Sequence, residues 1–176
     1  METTKYIDSS EFAPLLGMLN SIRIPMRSVT SNNSRRGFGS HRCMTFGVVR
    51  ARYRGRTGVS SPSCLYPEIY SEITRIGNLL SPDFPFTSIH LNKNVVCPIH
   101  TDSTNVGTSM VVSFGDYAGC ELVVGEVEVE TRHRGVIFDG TTIPHYNRDT
   151  LTGTKYSLVY YTHASTPHST GVRRKA

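Results

Sequence analysis

His100-Thr101-Asp102 and Pro144-His145 supply two imidazoles and a carboxylate, the side-chain types that hold a transition metal. On an extended strand residues two apart share a face, so His100 and Asp102 point together while Thr101 turns away. A third ligand brought in on another strand, His145, completes a set of two imidazoles and one carboxylate on one side of a metal. Three coordination positions then stay open for a cosubstrate and O2, the pattern of a non-haem Fe(II) centre. Zinc could occupy the same ligands. The other histidines compete less well. His163 is the second choice for the distal ligand, and His90 reads as a core or supporting ring. His133 reads as solvent-facing in a charged turn, His41 belongs to a basic loop, and His168 lies in the tail.

Ten residues after His145 comes Lys155-Tyr156-Ser157. Lys155 offers a fixed positive charge and Ser157, on the same strand face, a hydroxyl. Together they can hold the distal carboxylate of an acidic cosubstrate through charge-assisted hydrogen bonds. A 2-oxo acid would then chelate Fe(II) through its keto oxygen and C1 carboxylate. Asn92 and Asn94 are candidates for helping at that end, and the sequence does not choose between them.

These residues need a scaffold that lets positions 100, 102, 145 and 155 meet. Short strands separated by turns run through the second half: 86–91, 109–114, 121–124, 127–130, 136–138 and 156–161, with a turn expected at Gly115 to Gly119. Met44 to Tyr53 is an earlier strand. Leu65, Ile69, Ile73, Ile76 and Leu80 recur three or four apart, which predicts an amphipathic helix with Pro67 at its start and Pro82 and Pro85 beyond its end. Residues 11–19 form a shorter helix, with Ser9 or Ser10 as a possible N-cap. The pattern predicts a mainly β fold with flanking helices, a jelly-roll or double-stranded β-helix. Its parts are an N-terminal helix and basic loop over 1–43, a core over 44–163 and a flexible basic tail over 164–176.

The chain has 176 residues and a net charge of +5. Residues 1–56 hold ten Lys or Arg against three acids, a balance of +7, and Arg173-Arg174-Lys175 closes the chain. Arg50, Arg52, Arg54 and Arg56 recur every second residue, so a continuing strand would place four guanidinium groups on one face, as phosphate binding requires. A solvated basic edge is the competing reading. Cys43, Cys64, Cys97 and Cys120 have no CxxC spacing, so free thiols in an intracellular protein are expected, in the nucleus or in the cytoplasm of a virus- or phage-infected cell. The sequence lacks an apolar run of membrane-spanning length and a signal-peptide pattern, so no membrane association is expected. Nothing indicates an oligomer, and a monomer is the default.

With these residues in view, the sequence resembles the 2-oxoglutarate and Fe(II)-dependent dioxygenase superfamily, most closely the branch of the TET and JBP nucleic-acid base oxygenases. The resemblance runs from about Met44 to Thr162. It rests on His100-Thr101-Asp102, Asn105-Val106-Gly107-Thr108-Ser109, Phe114-Gly115-Asp116-Tyr117, Glu121-Leu122, Phe138-Asp139-Gly140, Pro144-His145 and Gly153-Thr154-Lys155-Tyr156-Ser157-Leu158-Val159. It implies iron ligation by His100, Asp102 and His145, and 2-oxoglutarate held at its C5 carboxylate by Lys155 and Ser157. It further implies oxidative decarboxylation of that cosubstrate coupled to hydroxylation of a C–H bond. Two departures stand out. Lys155 occupies a position where the superfamily more often has Arg, replacing a bidentate fork with a point charge. Gly119-Cys120 stands where relatives commonly have Gly-Gly.

The basic first third and the branch resemblance together imply a nucleic-acid substrate, DNA or RNA and plausibly single-stranded, with a base methyl group such as that of 5-methylcytosine or thymine as target. Arg50, Arg52, Arg54 and Arg56 would hold phosphates, and Tyr53 or Tyr117 would stack on the base. Hydroxylation of a prolyl or lysyl side chain, or of a small molecule, is the alternative with the same chemistry. A non-catalytic metal-binding jelly-roll is the alternative without it.

Overall fold

The computed structural model describes residues 1–28, 40–50 and 57–164. The elements in chain order are β1 (Glu2–Tyr6), a 3-10 turn (Ser9–Phe12), α1 (Ala13–Asn20), β2 (Met26–Ser28), β3 (Ser40–Arg50), β4 (Thr57–Val59), α2 (Ser61–Leu65) and α3 (Pro67–Leu80). They continue with β5 (Ser88–Lys93), β6 (Asn105–Gly119), β7 (Leu122–Val124), β8 (Val127–Val129), β9 (Arg134–Phe138), β10 (His145–Asn147) and β11 (Leu151–His163). The large sheet runs β1-β9-β6-β11-β5-β3-β2, with β4 on β3, and every pairing in it is antiparallel. A small antiparallel sheet, β10-β7-β8, lies apart from it. The result is the jelly-roll with flanking helices that the strand pattern predicts.

The large sheet has two unlike faces, and strand alternation makes them so. Tyr156, Leu158 and Tyr160 of β11, Ile89 and Leu91 of β5, Met44 and Phe46 of β3, and Met110, Val112 and Phe114 of β6 are buried together. The stripe Ile69, Ile73, Ile76 and Leu80 of α3 joins them, as do Phe12, Leu15 and Leu19 from the 3-10 turn and α1. The alternate residues, among them Lys155, Ser157 and Val159 of β11 and His90 and Asn92 of β5, line a cavity on the other face. One side of the sheet is core and the other is free for chemistry.

Several boundaries differ from the sequence expectation. β6 is continuous through Gly115 and Gly119, where a turn was expected; Gly115 instead pairs with Lys155 and Gly119 with Leu151. Gly115 has φ 110°, and a Cβ there would stand 2.3 Å from the Thr154 carbonyl oxygen, so the glycine permits close approach within the ladder. β3 begins at Ser40, which places His41 on a strand and not in a basic loop. His133 was expected to face solvent. It is half-buried instead, with its ring stacked on Phe12 at 5.1 Å and Nδ1 bonded to the Tyr6 hydroxyl at 3.0 Å, and burial lowers its pKa. Arg75 ties α3 to the 3-10 turn by contacts of 2.6 Å to the Glu11 carboxylate and 2.7 Å to its carbonyl.

α3 packs closely on β11 because Gly77 lies beneath the Tyr160 ring, whose hydroxyl donates to the Ile73 carbonyl at 2.7 Å. A Cβ at Gly77 would stand 2.6 Å from Tyr160 Cε1. Gly77→Ala is therefore expected to destabilise the fold by about 1–3 kcal/mol through overpacking, despite a helix-propensity gain of about 1 kcal/mol. Urea denaturation checks this; an unchanged midpoint would show that the ring can move aside.

Candidate metal centre

His100 and His145 belong to different segments, joined by a short antiparallel bridge in which each N–H donates to the other's carbonyl at 3.0 Å. The two rings lie 4.3 Å apart between centroids. Asp102 is drawn in by its own N–H, which donates to the Gly140 carbonyl at 2.7 Å. The ligand atoms of His100, Asp102 and His145 all lie within 4.8 Å of one another. His100 Nε2 is 3.8 Å from Asp102 Oδ1, and His145 Nε2 is 3.7 Å from Asp102 Oδ2.

Backbone carbonyls fix the orientation of both rings. His100 Nδ1 is 2.7 Å from the Pro98 carbonyl and His145 Nδ1 is 3.1 Å from that of Ile143. A proton on Nδ1 leaves each Nε2 lone pair directed at the shared centre, as metal-ligating histidines require. Asn105 Nδ2 donates to Asp102 Oδ2 at 3.2 Å and to Ser109 Oγ at 3.2 Å, steadying the carboxylate from behind. Gly140 closes the shell: a Cβ there would stand 3.1 Å from Asp102 Oδ2 and 3.2 Å from His145 Cε1. Two imidazoles, one carboxylate and their outer hydrogen bonds fit an Fe(II) ion with open positions toward the cavity.

The same cavity, of about 260 Å³, is lined by Lys155, Ser157 and Asn92. Lys155 is only 5% exposed; its Nζ donates to the Cys120 carbonyl and lies 5.2 Å from the centroid of the Tyr117 ring. Asn92 Nδ2 donates to Ser157 Oγ at 3.4 Å. Asn94 is exposed and acts on backbone: its Oδ1 accepts the Lys155 N–H at 2.7 Å, and its own N–H donates to the Lys155 carbonyl at 2.8 Å. Of the two asparagines, Asn92 faces the cavity and Asn94 holds β11 in place. Cys120, the departure from Gly-Gly, has φ 61° and a fully buried side chain, and burial raises its thiol pKa.

Tyr117 lies elsewhere than a base-stacking role requires. Its side chain is buried, its hydroxyl bonds to Ser113 Oγ at 2.7 Å, and the Arg132 guanidinium lies 4.1 Å from its ring centroid. Its ring supports Lys155 and does not line the cavity. Arg50, exposed at the end of β3, lines a groove of about 610 Å³ with Arg27, Thr45, Ser60 and Ser61. Arg27 and Thr45 line the cavity too, so groove and cavity adjoin. Arg52, Tyr53, Arg54 and Arg56 lie outside the described residues. His163, the second choice as ligand, pairs with Asn105 at the far end of β11 and is not in the ligand group. The sequence reading missed the roles of Asn105, Gly140 and Arg27, and the cavity-facing position of His90. The motif segments already held Asn105 and Gly140, and strand alternation could have placed His90 beside Asn92.

The fold is that of the 2-oxoglutarate and Fe(II) oxygenases. NgTET1 in complex with 5mC DNA superposes with a TM-score of 0.56 at 12% identity, over 89% of this chain and 66% of that one. An oxidoreductase of the 2OG-Fe(II) oxygenase family from Burkholderia pseudomallei gives 0.56 at 18% identity, over 91% of this chain and 81% of that one. A Pseudomonas putida prolyl-4-hydroxylase gives 0.53 at 13% identity, over 92% and 91%. No protein-family model matches the chain, and comparison with curated proteins finds no match.

The turn that delivers His145 depends on Asp139. Its Oδ1 accepts the Thr141 N–H at 3.0 Å and the Thr141 hydroxyl at 2.5 Å, and its Oδ2 accepts from Thr142 Oγ1 at 2.8 Å. These bonds, the Thr141 side chain first, lower the carboxyl pKa below its ordinary 3.8. A lowered folded pKa contributes stability that is full above the unfolded value and is lost as pH falls through the folded one. The stability gap between wild type and Asp139→Ala is thus expected to be constant near neutrality and to narrow below about pH 3.8. Paired denaturant titrations across pH measure it; a gap independent of pH would exclude the carboxylate as its source.

Proposed function

We propose that this chain is an Fe(II)- and 2-oxoglutarate-dependent oxygenase that hydroxylates a C–H bond. The observation that carries the reading is the sharing of one cavity by His100, Asp102 and His145 with buried Lys155 and Ser157. His100, Asp102 and His145 would hold the iron, and Lys155 with Ser157 would hold the distal carboxylate of 2-oxoglutarate. The iron, when bound, supplies O2 activation coupled to decarboxylation of the cosubstrate. The protein's share is positional. The Pro98 and Ile143 carbonyls keep both imidazoles in the ligating tautomer, and Asn105 keeps the Asp102 carboxylate turned to the same point. Cys120 and Tyr117 hold the Lys155 amine in the wall, where burial strengthens its pairing with a carboxylate. No side chain is assigned a proton-transfer role in the C–H step.

For the substrate we propose a methyl group on a nucleic-acid base. Arg27 and Arg50 along the groove adjoining the cavity favour a phosphate backbone beside the reacting carbon. The likeness to NgTET1, a protein crystallised with 5mC DNA, agrees with this reading. A base held in a duplex would leave the stack to reach such a cavity. A prolyl side chain is the second reading, favoured by the likeness to the Pseudomonas putida prolyl-4-hydroxylase. A nuclear setting, or a virus- or phage-infected cytoplasm, suits the first substrate.

Fe(II)-loaded protein with 2-oxoglutarate and a panel of methylated DNA, methylated RNA and proline-containing peptides is expected to form succinate in step with an oxygen-containing nucleic-acid product. Oxygen gained by peptides alone would overturn the base assignment. No succinate above background, with iron and 2-oxoglutarate both bound, would overturn the oxygenase reading. His100→Ala is expected to abolish stoichiometric Fe(II) binding at this centre. Lys155→Ala is expected to weaken 2-oxoglutarate binding at least tenfold while leaving iron affinity within about twofold. Calorimetric titration of each ligand separates these outcomes, and equal losses of both would remove Lys155 from the cosubstrate site.

A further inference from the structure

A second donor group lies on the sheet. His41 and Cys43 are two apart on β3, so their side chains share a face by the same alternation that pairs His100 with Asp102. In the register between β3 and β5, Cys43 pairs with Asn92 and Thr45 with His90, which makes His90 the diagonal neighbour of Cys43. The ligand atoms of His41, Cys43 and His90 all lie within 4.8 Å of one another. Cys43 is 1% exposed, and His41 and His90 line the cavity.

We propose that His41, Cys43 and His90 form a second transition-metal site, of a chemistry different from that of the first. Two imidazoles and one thiolate are borderline-to-soft donors, suited to Zn(II) or its analogue Co(II), with a fourth tetrahedral position left to water or a cavity ligand. A tetrahedral zinc site with ordinary bond lengths has ligand atoms roughly 3.3–3.6 Å apart, so closure from within 4.8 Å needs only small side-chain rotations. One feature prepares the site: Thr45 Oγ1 lies 2.9 Å from His90 Nδ1 and orients the ring. The ion would join β3 to β5 across the wall that Asn92 and Ser157 share, clamping the rim of the cavity where Arg27 meets the groove. The proposal does not depend on iron binding at the other centre.

The test uses the full chain, stripped with chelator and titrated anaerobically with Co(II). Wild type is expected to take up two equivalents, one of them giving near-ultraviolet thiolate-to-cobalt absorption and strong tetrahedral visible bands. Cys43→Ser is expected to lose that absorption and one equivalent. His100→Ala is expected to lose the other equivalent and keep the absorption. Cys97→Ser, which removes a thiol that lines the cavity, is expected to change neither. Peptide mapping after alkylation is expected to show Cys43 protected at least tenfold by equimolar Zn(II), with exposed Cys64 unaffected. Cobalt uptake by wild type without thiolate absorption, or thiolate absorption that survives Cys43→Ser, overturns the proposal. Should Cys43→Ser fail to fold, His41→Ala replaces it: loss of the tetrahedral bands supports the site and their persistence overturns it.

Discussion

Two backbone hydrogen bonds between His100 and His145 hold the centre together. The candidate centre at His100, Asp102 and His145 presupposes them, because a metal site built from distant segments must first solve a problem of chain entropy. Each ordered residue loses roughly 1–2 kcal/mol of backbone freedom, and no single ligand bond could offset a whole mobile loop. The scaffold distributes that cost. The bridge aligns the two imidazoles, the Gly140 carbonyl fixes Asp102, and the Asp139 turn presents His145. The scaffold alone positions the three side chains, so an ion bound there would need little reorganisation.

The sheet's division into a packed face and an open face explains how so small a chain keeps a core beside a cavity. The apolar faces of α3 and α1 are used on one side only, and the sheet's other side is thereby spared for Lys155, Ser157, Asn92 and His90. The burial of Lys155 follows from this arrangement. A cation held away from water needs compensation, which the Cys120 carbonyl and the Tyr117 ring provide. A lysine in this wall brings a rotatable point charge where an arginine would bring a planar fork, so the shape of the wall, more than a bidentate geometry, would orient a carboxylate bound there.

What was legible in the sequence was what depends on local spacing. α3 announced itself through Ile69, Ile73, Ile76 and Leu80 and ends at Leu80, just before Pro82. The donor types at 100, 102 and 145 were readable because chemistry restricts them to few residues. The strands β1, β2, β4 and β10 were not readable. Glu2–Tyr6 has no apolar alternation and is a strand through its pairing with β9, and β10 is three residues long. Gly115 and Gly119 looked like punctuation because a glycine that ends a strand and one that lets two strands touch are the same residue. Tyr117 was ambiguous for a related reason: an aromatic side chain suits a base and a buried cation equally well, and its place beside Lys155 becomes visible only through tertiary contact.

The pairing of β1 with β9 joins Glu2 to Ile137 and Thr3 to Val136, the largest sequence separation of any strand pair in the described fold. Contacts so distant along the chain raise contact order and form only after long loops have closed. During synthesis the first strand must therefore wait for the ninth to emerge. Until it docks, the outer edge of β9 presents unpaired backbone groups to any other strand. β9 ends at Phe138, whose ring meets His145 edge-on at 5.0 Å. The pairing of β1 with β9 is thus a long-range seam at one edge of the sheet, closed beside the residues that would hold the metal.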